Sequence, residues 1–220
     1  MSLDAAFWHE RWRKDQTGFH QTSVARQLER YWPRLEIAPT SHVFVPLCGK
    51  SLDLLWLSQR VDQVTGVELS SVAVEALHLE NGIPARRRSG NDAECFLSAS
   101  LRVFRADFFW LTRATLGPVD AVYDRAALIA WPQELRAPYV ERLSELTGPG
   151  TRTLLITIEY PPHETQGPPF SVSAGDVERL YGAHHHLTLL GRDDILAQDP
   201  RMQARGVTDL HEACYLLNRK

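Results

Sequence analysis

The chain has 220 residues, of which 44% are hydrophobic and 23% charged, and this is the composition of one globular α/β domain with a sizeable core. The formal net charge of −3 provides no positive field for a nucleic-acid backbone, and no stretch approaches the ~18 apolar residues of a membrane span. Three scattered cysteines argue against a disulfide scaffold and favour a reducing cytosol. We therefore expect a cytoplasmic monomer that has neither a nucleic-acid nor a membrane partner.

In chain order, two helices are followed by alternating strands and helices. Residues 4–15 suit a helix that Asp4 could cap, and a second helix covers residues 23–32 before Pro33. Further strands are predicted at 42–47, 63–69, 101–107, 119–125, 152–160, 185–191 and 211–219, and further helices at 51–59, 70–82, 134–148 and 174–182. Ser70 or Ser71 is the predicted N-cap of the helix at 70–82, and Ser173 that of the helix at 174–182.

This alternation predicts an α/β fold with a mostly parallel sheet and helices on both faces. The last two strands, with no helix expected between them, predict an antiparallel edge. The arginine triplet at residues 86–88 is interpreted as a solvated turn. Sheets of this kind bind ligands beyond the carboxyl ends of their strands, and each motif considered next lies at such an end.

The turn Cys48-Gly49-Lys50 joins the first predicted strand to its helix. A phosphate-binding loop requires a glycine five residues before Gly49, but Phe44 occupies that position. The G-x-G-x-x-G fingerprint is missing as well. Gly49 still permits a ligand to approach the backbone closely. Taken alone, the stretch reads as a plain strand-to-helix turn.

Glu68 changes the interpretation of that turn. It ends the second predicted strand, 19 residues after Gly49, where an acidic side chain can accept hydrogen bonds from two ribose hydroxyls. The alternative is a surface glutamate after a strand. Asp107 ends a later strand, where it and the backbone near Ala106 could contact an adenine amine, or where Asp107 could cap the next turn. A nucleoside without polyphosphate fits S-adenosylmethionine better than NAD or ATP.

These motifs resemble the thiopurine S-methyltransferases, a family of S-adenosylmethionine-dependent enzymes. The resemblance covers nearly the whole chain and rests on FWHERW, GFHQ, PLCGKSLDLLWL, GVELS, DRAALIAW, GPPFSV and LHEACYLLNRK. It implies a Rossmann-like class I methyltransferase fold with seven strands, the last one reversed. The main departure from the family pattern is at residues 86–102.

The resemblance also implies the site. Cofactor-binding positions carry over to Trp12, Leu47, Glu68, Ala106 and Arg125, and substrate-binding positions to Phe19 and Arg125. Arg125 could face the acceptor, could hold the cofactor carboxylate, or could pair with a neighbouring aspartate. The implied cofactor is S-adenosyl-L-methionine, with S-adenosyl-L-homocysteine as product, and no metal is expected.

The implied chemistry is in-line methyl transfer from a sulfonium to a small-molecule thiolate. It needs alignment of donor and acceptor more than a general base, so no catalytic residue is assigned. Thiopurines and other small aromatic or heterocyclic thiols are the expected acceptors. Selenium and tellurium compounds or other small nucleophiles are alternative acceptors. A nicotinamide-dependent oxidoreductase and a non-enzymatic nucleoside-binding module are the alternative functions.

The N-terminal segment is expected to act as a lid on one domain that spans residues 1–220. The sheet begins only near residue 42, so residues 1–35 must pack around it. Trp8, Trp12 and Phe19 need a surface to cover, and a ligand cleft is a suitable one. Gly18 could be the hinge. The alternative is a helix that docks permanently and never moves.

Overall fold

The computed structural model describes residues 5–18, 20–90 and 93–220 of the chain. The chain forms two compact units, Met1–Tyr123 and Asp124–Lys220. Asp4, the predicted cap of the first helix, and Phe19, a predicted substrate contact, lie outside the described residues.

The first unit contains most of the predicted strand-helix alternation. Its helices are α1 (Ala5–Arg13), α2 (Arg26–Tyr31), α3 (Asp53–Ser58), α4 (Ser71–Glu80) and α5 (Arg113–Leu116). Its strands are β1 (His42–Val45), β2 (Gln63–Glu68), β3 (Arg86–Ser89), β4 (Glu94–Leu97), β5 (Leu101–Arg105) and β6 (Ala121–Arg125), whose last two residues belong to the second unit. Ser70 caps α4 by accepting a hydrogen bond from the Ala73 amide, as predicted.

The sheet of the first unit runs in the order β3-β4-β5-β2-β1-β6. Strand β1 pairs in parallel with β2 and β6, and β2 pairs in parallel with β5. Val43 and Phe44 in β1 and Val64 in β2 have no exposed surface. Such continuous apolar strands are typical of a parallel sheet that is covered on both faces.

The interpretation of residues 86–88 as a solvated turn was wrong. They form β3, an exposed strand that pairs antiparallel with β4, which in turn pairs antiparallel with β5. Arg87 contacts the Glu94 carboxylate at 3.3 Å, and Arg105 contacts it at 2.8 Å. The arginines are therefore solvated, as expected, but on an edge strand, where charged side chains discourage pairing with another chain.

The second unit contains α6 (Gln133–Leu146), β7 (Arg152–Glu159), α7 (Ala174–Tyr181), β8 (His185–Asp194), α8 (Pro200–Ala204) and β9 (His211–Arg219). Strand β9 pairs antiparallel with both β7 and β8. A capping box between Ser173 and Asp176 begins α7 and confirms the predicted cap. The expectation of no helix before the last strand was wrong, because Asp199 caps a short helix that opens on Pro200.

The predicted fold class is confirmed by the parallel pairs of the first unit and by the antiparallel strands that end the second. Strands β3 and β4 are additional to the seven predicted and occupy the segment that departs from the family pattern. Within the part of the chain that the structure describes, every helix is too short or too polar to cross a membrane.

Asp124 is expected to make stability depend on pH. Its buried carboxylate accepts hydrogen bonds from the Leu128 amide at 3.1 Å and the Tyr139 hydroxyl at 2.7 Å. Burial outweighs both bonds and raises the pKa of Asp124 from 3.8 to about 6. The folded state therefore holds this proton more tightly than the unfolded state. The protonated carboxyl contributes up to about 3 kcal/mol to the free energy of unfolding, and this contribution is lost as the pH rises from about 4 to about 6.

Chemical denaturation of the wild type, Asp124→Asn and Asp62→Asn at several pH values between 4 and 7 measures this effect. The Asp124→Asn variant should lack the loss of unfolding free energy over that window, whereas the exposed Asp62 serves as a matched control and should leave it unchanged. An identical pH dependence in all three proteins would show that Asp124 is not its source.

Candidate functional site

The turn after β1 has an unusual backbone conformation. Leu47 has a φ of 45° and Gly49 a φ of 54°, both in the left-handed region. A non-glycine residue there costs roughly 1–2 kcal/mol, and such strain is often found at ligand-binding sites. The Cys48 amide donates to the Val67 carbonyl at 3.0 Å, which ties the turn to the end of β2.

Glu68 lies at the centre of this region and is 7% exposed. One carboxylate oxygen, Oε2, accepts a hydrogen bond from the Gly49 amide at 3.0 Å. The other, Oε1, accepts one from the Ser70 amide at 2.7 Å. A carboxylate has about four acceptor sites, so each oxygen can accept one further bond. The side chain is thus fixed by the backbone and retains capacity for a pair of hydroxyls.

The protonation of Glu68 reflects two opposing influences. Burial raises the pKa of this carboxyl, whereas the hydrogen bonds from the amides of Ser70, Gly49 and Leu69 act in the opposite direction. Only the ionised form accepts hydrogen bonds at all its sites. Binding of a hydroxyl pair here should therefore weaken in acid at a higher pH than for an ordinary glutamate.

Ala106 lies directly beside Glu68, as the prediction requires. Its amide donates to the Glu68 carbonyl at 3.0 Å and extends the parallel pairing of β2 and β5. Asp107 has a structural role, because its carboxylate accepts a bond from the Phe109 amide at 2.9 Å and caps a short 3-10 turn. The sequence left this cap open as an alternative to adenine binding, and the structure confirms the cap.

Trp12 covers the turn. Its side chain is 6% exposed, and its ring atom Cζ2 lies 3.1 Å from the point that a Cβ on Gly49 would occupy. A side chain at residue 49 would therefore push against the indole as well as straining the backbone. Trp12, which belongs to α1, thus lies at the same turn as Leu47. Helix α1 also contacts α4.

Arg125 is the last residue of β6 and belongs to the second unit, and Ala126 after it has a φ of 62°. Its roles toward an acceptor or toward the cofactor carboxylate stay predictions. Phe19 is outside the described residues.

Asp53 is a supporting residue that the sequence reasoning missed. It is 1% exposed, and its carboxylate accepts bonds from the Ala25 amide at 2.8 Å and the Tyr123 hydroxyl at 2.9 Å. It thereby ties the segment that precedes α2 to the helix that follows the turn. The one signal in the sequence was a carboxylate inside the apolar run SLDLLWL.

Cys48 is not placed to act as a nucleophile. Burial raises the pKa of its thiol well above the ordinary value, and the nearby Glu68 charge raises it further. The sulfur packs so close to Gly66 that a Cβ there would lie 2.6 Å from it. A buried, protonated thiol is inert, so Cys48 is a packing residue.

The residues of the first unit fit an adenosyl ligand. Glu68 offers acceptor capacity for two vicinal hydroxyls, the turn brings backbone against Glu68 without forming a phosphate cradle, and the aromatic ring of Trp12 packs against Gly49. The same set would bind a nucleotide polyphosphate poorly, because the turn lacks the glycine pattern of a phosphate cradle.

A known protein family matches nearly the whole chain. The family model for thiopurine S-methyltransferase matches residues 3–220. The thiopurine S-methyltransferase of Nitrosospira multiformis is 46% identical over 211 residues, which cover 96% of each chain. That of Shewanella woodyi is 42% identical over 222 residues, covering 99% of this chain and 100% of its own.

Solved structures share the fold at low sequence identity. Magnesium protoporphyrin IX methyltransferase from Synechocystis, solved with S-adenosylmethionine, has a TM-score of 0.64 at 13% identity and covers 99% of this chain and 98% of its own. A methyltransferase from Anabaena variabilis has a TM-score of 0.61 at 15% identity, with coverage of 100% and 96%. These likenesses support the class I methyltransferase fold.

Proposed function

We propose that this chain methylates the sulfur of small aromatic or heterocyclic thiols, thiopurines included. The chain belongs to the thiopurine S-methyltransferase family and is an S-adenosylmethionine-dependent methyltransferase. The observation that carries the proposal is the Glu68 carboxylate, fixed by two backbone amides beside the strained turn in a chain that matches the family over residues 3–220. A nicotinamide-dependent oxidoreductase is not supported, because the fold and the relatives are those of methyltransferases.

The residues of the first unit would bind and orient the cofactor. Glu68 would accept hydrogen bonds from both ribose hydroxyls, and the backbone at Ala106 would border the adenine. The indole of Trp12 would lie against the cofactor, where a π face attracts a cation. When bound, S-adenosylmethionine supplies an activated methyl group, so these residues contribute mainly alignment.

The acceptor requires an ionised sulfur and exclusion of water. A positive charge at Arg125 would favour the thiolate over the thiol. No general base is needed for an acceptor that is already anionic. Soft selenium or tellurium nucleophiles meet the same requirement, and they are the second candidate class of acceptor.

A labelled-methyl assay tests the proposal. Aromatic and heterocyclic thiols, aliphatic thiols, and selenium and tellurium acceptors are compared at equal concentration, with S-adenosylhomocysteine measured in parallel. We expect the highest kcat/KM for the aromatic and heterocyclic thiols, with one product sulfide for each S-adenosylhomocysteine. Higher values for selenium or tellurium acceptors would favour the second class, and transfer to none of the acceptors would refute both.

The N-terminal lid makes a separate prediction. Trp12 is buried against Gly49, so the two alternatives differ in how readily α1 opens. We expect hydrogen exchange to show strong protection of residues 5–18 only when S-adenosylhomocysteine is present, because closure would exclude water from the transfer. Amides of the buried strand β2 serve as the internal control. Equal protection of residues 5–18 in both states would show a permanently docked helix.

A further inference from the structure

The segment of residues 161–170, which we call the proline loop, follows the carboxyl end of β7. Four of its ten residues, at positions 161, 162, 168 and 169, are prolines, which lack a backbone N–H. These four residues cannot donate backbone hydrogen bonds. Within the loop the Glu164 amide donates to the Pro161 carbonyl at 3.0 Å, and the bonds described next join the loop to residues outside it.

Those bonds come largely from α8 and the residues after it. The Arg205 guanidinium donates to the Gln166 carbonyl through Nη2 and to the Pro168 carbonyl through Nη1, the latter at 3.3 Å. On the other side, the Glu164 carboxylate accepts bonds from the Thr208 amide at 2.9 Å and its hydroxyl at 2.5 Å. A guanidinium can serve two carbonyls at once because its donors form a rigid fork.

The end of the proline loop is fixed to the residues that follow Arg125. The Phe170 amide donates to the Ile129 carbonyl at 2.7 Å, four residues after Arg125, and the Tyr160 hydroxyl donates to the Pro169 carbonyl at 2.8 Å. The Phe170 ring folds onto Gly167, where an added Cβ would lie 2.4 Å from it. The loop thus presents a partly exposed aromatic ring at a strand end, where α/β sheets bind ligands.

We propose that Arg205 is a positioning residue that holds the proline loop in a preformed shape and thereby determines which acceptors are methylated. This inference rests on the proposed function, because it assumes that the loop contacts the acceptor. The Arg205 side chain donates to loop carbonyls and to the Met202 sulfur, so we assign it an action through the loop and not on the reacting atoms. Preorganisation of this kind favours rigid acceptors that match the loop over flexible ones.

The substitutions Arg205→Ala and Arg205→Lys test the role, with Gln203→Ala as the matched control on the same helix. For each protein, kcat and KM are measured for a rigid heteroaromatic thiol and for a small aliphatic thiol, and hydrogen exchange is measured for the loop amides between residues 163 and 170. The Kd for S-adenosylmethionine is measured by calorimetry.

For Arg205→Ala we expect faster exchange of the loop and a drop of about tenfold in the preference for the heteroaromatic thiol, mostly through its KM, as for one misplaced group in a specificity pocket. The Lys variant should recover part of the preference, because it keeps one donor. Gln203→Ala should match the wild type, and cofactor Kd should not change in any of the variants.

Two outcomes would overturn the inference. Unchanged exchange in Arg205→Ala would show that Arg205 does not hold the loop. Faster exchange with an unchanged ratio of kcat/KM values would show that the loop does not select acceptors. Failure of the proposed function gives a different result, in which the wild type itself transfers methyl to neither thiol.

Discussion

Replacing Glu68 with alanine is expected to weaken S-adenosylmethionine binding by roughly ten- to a hundredfold. The carboxylate would accept two hydrogen bonds from the ribose, and loss of hydrogen bonds to a charged group costs about 1.5–3 kcal/mol. The same change removes the acceptors of the Gly49 and Ser70 amides, so the turn itself should loosen. Titration calorimetry measures the affinity, and thermal denaturation confirms that the variant is folded.

Two further variants separate ribose binding from general damage. Glu68→Gln keeps the size of the side chain but removes its charge, and its NH2 group would face the amide donors of Gly49 or Ser70. This variant should therefore also bind S-adenosylmethionine weakly. Glu75→Ala removes an exposed glutamate from α4 in the same unit and should change the affinity little. A change of less than threefold in Glu68→Ala would remove this residue from the site.

Much of the fold could be predicted because local signals and burial agree. Strands β1 and β2 are largely apolar, β5 buries Leu101, Val103 and Phe104, and the caps of α4 and α7 lie at serines that the sequence indicates. Glu68 could be placed from its spacing to Gly49, because parallel strands bring their carboxyl ends to one edge. The 3.0 Å bond between Gly49 and Glu68 is the direct consequence of that arrangement.

The elements that were missed lack such a signal. Strand β3 is exposed along its whole length, so its arginines show no alternation of apolar and polar residues. Its conformation is set by pairing with β4, a neighbour that the local sequence does not reveal. The helix α8 has five residues, too few to show a repeating helical pattern of apolar positions. Only Asp199 and Pro200 mark its start.

The residues of the site also fall into those that a local signal predicts and those that it does not. Glu68 follows from spacing, but Trp12 was named only through the family resemblance. Its contact with the turn links residues that are far apart in the chain, and no local pattern predicts it. The bonds of Asp53 to Ala25 and Tyr123 are also tertiary, and a single buried aspartate gives no periodic pattern. Side chains that support a site from a distance are therefore the part that a single sequence predicts least well.

Replacing Arg125 with alanine is expected to lower kcat/KM by roughly tenfold or more for acceptors that must ionise at the assay pH, and much less for acceptors that are already anionic. A neighbouring positive charge lowers the pKa of an acid by about 1–3 units, and each unit is tenfold in the thiolate fraction when the pH is below that pKa. For a weakly acidic thiol, the pH profile of the variant should therefore shift to higher pH. A series of thiols of graded acidity, each measured from pH 6 to pH 9, checks this.

The Arg125→Lys variant distinguishes the two roles of this residue. If Arg125 acts on the acceptor by charge, lysine should retain most of the preference for weakly acidic thiols, because the charge is kept. If Arg125 instead holds the cofactor carboxylate through its fork, lysine should raise the Kd for S-adenosylmethionine nearly as much as alanine does, since a single ammonium does not reproduce a bidentate pair. Arg179→Ala, an exposed arginine of α7, is the control for removal of a charge from the same unit. Equal losses for all thiols together with a raised cofactor Kd would assign Arg125 to the cofactor, and equal losses with an unchanged Kd would make it a structural residue of the strand end.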